Sequence, residues 1–130
     1  MKKAIDYAVI ADFLSPSVKE RIIHELSSPK KRMKAFERFS HGVDSIINSE
    51  CIYYKGKSVD KAVKAEIKNS SAECTLISLE HELGKVMSID EAFDYLSCES
   101  TVVLCVIGNW LIIKPEYERG EELYYVLKKQ

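Results

Sequence analysis

The apolar positions of the first fifty residues recur at helical spacing, and those of the last thirty run together or alternate as strands do. Ile5, Ala8, Val9 and Phe13 lie three or four apart, which predicts a short helix over about Lys3 to Leu14, closed by Ser15-Pro16. Val18, Ile22, Ile23 and Leu26 give a second helix its apolar face. Ser15, or Ser17 with Glu20, is placed to cap it, with Pro16 at a position where a missing N–H costs nothing. Ser28-Pro29 repeats the device ahead of Met33, Phe36, Phe39, Val43, Ile46 and Ile47. This predicts a third helix with a weak point at Gly42, where an interior glycine costs about 1 kcal/mol relative to alanine.

After Ser49 the pattern changes. Cys51 to Tyr54 reads as a short strand, Val59, Ala62, Val63, Glu66 and Ile67 as a helix, and Cys74 to Leu79 as a buried strand. Leu83-Gly84-Lys85 reads as a turn, and Ser88-Ile89-Asp90-Glu91 as a capping box for a helix packed through Ala92, Phe93 and Leu96. Thr101 to Ile107 and Trp110 to Lys114 form a hairpin about Gly108-Asn109, and Leu123 to Leu127 is a further antiparallel strand after the Pro115 to Glu122 connection. Helices come first and sheet afterwards. The expectation is a single α+β domain over residues 1–130, its helical N-terminal half packed on one face of a small, mainly antiparallel C-terminal sheet.

At 130 residues the chain is long enough to bury a core without staples. Hydrophobic residues at 46% and charged residues at 30% give the balance of an ordinary globular protein. The apolar run from Thr101 to Ile107 is too short to span a bilayer, and Asp6 and Asp12 interrupt the stretch where a signal peptide needs an apolar region. A cytoplasmic location is therefore expected, with Cys51, Cys74, Cys98 and Cys105 as reduced thiols and no membrane contact.

Candidate chemistry is sparse. His24, His41 and His81 fall in different predicted elements, no pair of cysteines or histidines has metal-ligand spacing, and no Gly-rich phosphate loop or nucleophile elbow is present. No metal, no cofactor and no catalytic set is expected. A small enzyme using His41 or His81 with a cysteine or carboxylate remains an alternative, because such partners meet in space and not in sequence.

Charge is the most informative feature. Residues 1–70 hold 14 Lys and Arg against 9 Asp and Glu, or +5, and residues 71–130 hold 5 against 11, or −6. Lys30, Lys31, Arg32, Lys34 and Arg38 crowd the start of the third helix and are the candidates for nucleic-acid binding. In the acidic half, Glu80, Glu82, Glu116, Glu118, Glu121 and Glu122, with Trp110 and Tyr117 as aromatic anchors, are the candidates for a protein interface.

The plan as a whole resembles the immunity proteins of bacterial toxin systems: a helical first half, an antiparallel C-terminal sheet and a one-sign charge patch. Its most visible carrier is Gly108-Asn109-Trp110-Leu111-Ile112-Ile113-Lys114-Pro115-Glu116. The resemblance implies a non-catalytic inhibitor that binds and blocks a cognate toxin, often a basic nuclease. The basic third helix departs from a uniformly acidic inhibitor.

Overall fold

The computed structural model describes residues 5–116 and 122–129. The first segment is helical as expected but winds as a 3-10 helix over Tyr7–Phe13. Its buried residues, Tyr7, Ile10 and Phe13, lie three apart, which matches three residues per turn better than the α-helical 3.6. The Asp6 carboxylate caps it by accepting from the Ala8 amide at 3.0 Å.

α1 (Lys19–Ser27) and α2 (Arg32–His41) each begin a turn later than the Ser-Pro pairs suggest. The carbonyls of Ser15 and Ser28 take the first amide bonds, so each serine-proline pair forms the entry turn. The chain breaks at Gly42 and resumes as α3 (Val43–Ile46). Leu14 and Ile47 then form an isolated bridge that ties the two ends of the helical layer together.

The sheet is six-stranded and wholly antiparallel. Its members are β1 (Ile52–Gly56), β2 (Glu73–Ser78), β3 (Lys85–Ser88), β4 (Val103–Ile107), β5 (Trp110–Lys114) and β6 (Tyr124–Lys128), in spatial order β1-β6-β5-β4-β2-β3. The β4–β5 hairpin closes at Gly108, whose φ of 52° suits glycine. β3 is a short edge strand that the turn signal at Gly84 concealed, and its Val86 is 62% exposed.

Helices cover both faces of this sheet, which corrects the expectation of one covered face. The 3-10 helix, α1, α2 and α3 pack on Ile77, Leu104, Leu111, Ile113, Tyr125 and Leu127. α4 (Lys61–Ser70) and α5 (Ile89–Cys98) pack on Cys74, Leu76, Val103, Cys105, Ile107, Trp110, Ile112, Tyr124 and Val126. With both faces buried, β4 and β5 have no polar alternation to show. Ser88 caps α5 as expected, accepting from the Glu91 amide and donating to its carboxylate, both at 3.1 Å. Among the described residues no helix is long and apolar enough to cross a membrane.

A half-buried ion pair ties α1 to α2. Arg38 donates through Nε and Nη2 to the two oxygens of Glu25, at 2.8 and 2.9 Å, and Glu25 is buried. Those bonds hold the Glu25 carboxyl below its ordinary value. A lowered folded value contributes stability above the unfolded value and loses it as pH falls through the folded one. Because Arg38 stays partly in solvent, Glu25→Gln is expected to lower stability at pH 7 by about 1–2 kcal/mol. Urea midpoints of the two proteins should converge as both are taken to strongly acid pH.

Candidate functional site

Strand order determines which loops meet. β2 ends at Ser78, which pairs with Val103 at the start of β4, and Val103 pairs with Lys114 at the end of β5. β6 starts beside it at Tyr124, opposite Gly56 at the end of β1. The segments 79–84 and 99–102 and the residues 115–116 and 122–123 therefore lie at one end of the sheet, carrying Glu80, Glu82, Glu99, Glu116 and Glu122. Tyr117, Glu118 and Glu121 belong to the same stretch of sequence and lie outside the described residues.

Two buried cations sit under these acids. Lys114 is 0% exposed and donates to the main-chain oxygens of Leu96 and Glu99 at the end of α5, where orphan carbonyls and the helix dipole both favour a cation. Its ammonium also lies 3.5 Å from Glu122 and 5.5 Å from the centre of the Tyr124 ring. Arg32 serves the end of α1 in the same way, donating from Nε to the Leu26 oxygen at 2.7 Å. Its guanidinium stacks 5.3 Å from the Tyr7 ring centre and reaches Glu82 at 3.8 Å, while Tyr7 donates to the Glu82 main-chain oxygen at 2.6 Å.

The two charged halves of the sequence are thus interleaved in space. α2 contacts the acidic end twice, through Arg32 on Glu82 and through His41 on Glu116 at 3.4 Å. Of the candidate nucleic-acid residues, Arg32 is buried and Arg38 is bound to Glu25, so neither guanidinium stands ready for a phosphate. Lys30, Lys31 and Lys34 are exposed.

Trp110, expected as a surface anchor, is a core residue instead. It is 2% exposed, takes the edge of Tyr53 at a centroid distance of 5.1 Å, and lies 4.9 Å from the Lys128 ammonium. Alternation along β5 places it with Ile112 and Lys114 on the face that α4 and α5 cover.

His41 and His81 are each partnered by a carboxylate. His81 reaches Glu80 at 3.0 Å and its ring lies 5.8 Å from that of Tyr95, whose hydroxyl is 2.9 Å from the buried Ser78 hydroxyl. Burial raises the Tyr95 phenol above its ordinary value. Cys51, Cys74 and Cys105 are buried and Cys98 is exposed, all as free thiols. Among the described residues no three His, Cys, Asp or Glu side chains are grouped to hold a metal ion.

At the acidic end the α2–α3 turn and the residues Pro115, Glu116 and Leu123 border an open groove of about 520 Å³, its walls including Ser40, His41, Asp44, Ser45 and Tyr125. It runs past Gly42 into a second depression beside Lys34, Glu37 and Arg38. The break at Gly42 forms the saddle between them. Comparison with protein-family models, with curated proteins and with solved structures finds no match to the chain.

Proposed function

We propose that the protein is a non-catalytic binding protein, an inhibitor of the immunity-protein kind. It docks a basic protein, the cognate toxin, on the acidic end of its sheet. The observation that carries the reading is the gathering of Glu80, Glu82, Glu116 and Glu122 at one end of a single antiparallel sheet. Two of these carboxylates have a buried cation beneath them, Glu82 at 3.8 Å from Arg32 and Glu122 at 3.5 Å from Lys114, which limits their freedom before a partner arrives. Trp110 has no part in the docking surface, and Glu118, Glu121 and Tyr117 extend it by sequence position alone.

Arg32 and Lys114 offset part of the acidic field from beneath, so its reach is shorter than the sequence sum suggests. Rate is the property that such a field changes most. With the bound partner in hand, the variant Glu80→Gln/Glu82→Gln/Glu116→Gln/Glu122→Gln is expected to associate about tenfold more slowly at low ionic strength. The two rates should converge in high salt. Equal rates at low salt would contradict the acidic docking surface.

A further inference from the structure

The groove at the α2–α3 turn has a chemical bias beyond its charge. The Ser40 hydroxyl donates to the Phe36 carbonyl at 2.9 Å, and the Ser45 hydroxyl donates to the Gly42 carbonyl at 2.8 Å. Each serine has therefore spent its only proton on the main chain and offers lone pairs alone to a ligand. Asp44 and Glu116 are acceptors as carboxylates, and the Tyr125 hydroxyl is engaged with Asp44 and Lys55. Among the described side chains of the wall His41 is a further donor, its Nε2 3.4 Å from the Glu116 carboxylate. A cation already uses one side of this wall: the Lys55 ammonium sits 3.5 Å from Asp44 and 4.8 Å from the Tyr125 ring centre. Val43, Pro115 and Leu123 supply the apolar remainder.

We infer that this groove is a subsite for an arginine side chain of the protein partner. The guanidinium enters between Asp44 and Glu116, and the methylene stem lies against Val43, Pro115 and Leu123. Five donors in a flat fork answer a wall of spread-out acceptors, whereas an ammonium offers three donors at one point. An anion would meet like charge, and an apolar side chain would cover acceptors without satisfying them. The inference deepens the proposed function, because Glu116 belongs to that docking surface. Its test does not need the partner.

The probe is Nα-acetyl-arginine methylamide, titrated into the 15N-labelled full chain at low ionic strength and pH 7, with the lysine analogue in parallel. Saturable amide shifts are expected at Gly42, Asp44, Ser45 and Glu116, with the lysine analogue binding several-fold more weakly. Asp44→Asn/Glu116→Gln should weaken the arginine probe about tenfold while the rest of the spectrum stays unchanged. Lys55→Met should tighten it, because a competing cation is gone. Non-saturating shifts spread over all the acidic residues, or a double variant that binds like wild type, would overturn the subsite. Such a failure leaves the docking reading to its own rate measurement; equal association rates there, beside saturable arginine binding here, would overturn the docking reading and with it the partner as the source of the arginine, leaving a guanidinium site alone.

Discussion

Replacing Lys114 by alanine is expected to lower folding stability by about 3–5 kcal/mol, read as a shift of the urea midpoint at constant slope. The side chain is wholly buried, and its ammonium serves the Leu96 and Glu99 carbonyls where α5 ends. Truncation removes that cation, opens a cavity beneath the acidic loops and leaves buried acceptors short of a donor. Methionine restores most of the volume and none of the donors, so Lys114→Met should recover part of the loss. If alanine and wild type unfold at the same urea concentration, the lysine does not hold the helix end in the way described.

A loss of similar size, about 3–5 kcal/mol, is expected for Trp110→Ala, because a buried indole leaves both its transfer energy and its cavity behind. Tyr53 would lose the ring it meets edge-on, and the Lys128 ammonium would lose the face it covers. Trp110→Phe keeps part of the packing and should cost less. The measurement separates two roles for this residue. A surface anchor can be truncated with little effect on unfolding, whereas a core residue cannot. Unchanged stability in Trp110→Ala would return the tryptophan to the surface.

Much of the architecture is legible along the chain because local rules and tertiary packing agree. The Ser88 cap on the Glu91 amide, the Gly108 hairpin and the apolar spacing of α1 and α4 appear in the fold, as do Phe36 and Phe39 of α2, whereas Met33 is exposed. The misses have particular causes. The three-residue spacing of Tyr7, Ile10 and Phe13 was open to view, yet a window centred on Ile5, Ala8 and Val9 reads it as an α-helix. β3 is four residues long and follows a glycine at φ 89°, so its turn signal outweighs its strand signal. The second covered face is encoded in β4 and β5 as an absence of alternation, a signal that a one-faced reading treats as ordinary hydrophobicity.

The site was less legible than the fold, since its parts come from distant segments. Four of the glutamates singled out by sequence do share one end of the sheet, and their neighbours there could not be read from the chain. The contact of His41 with Glu116 joins a helix end to a loop after the fifth strand, and only strand order creates it. The +5/−6 division describes the sequence accurately, but α2 lies against the acidic end, so the division does not persist in space. Lys114 alone had a sequence signal that could have exposed it. A lysine two residues beyond Ile112 on a strand shares its buried face, and such a lysine needs acceptors.

The most direct test of the acidic docking surface is capture from a lysate of the source organism at about 50 mM salt, where charge-driven complexes persist. The tagged wild-type chain and the fourfold glutamine variant serve as paired baits, and bound protein and nucleic acid are quantified separately. The account predicts one basic protein in equal amount on the wild-type bait and little of it on the variant. The same protein held equally by both baits, or nucleic acid alone on either, would contradict it.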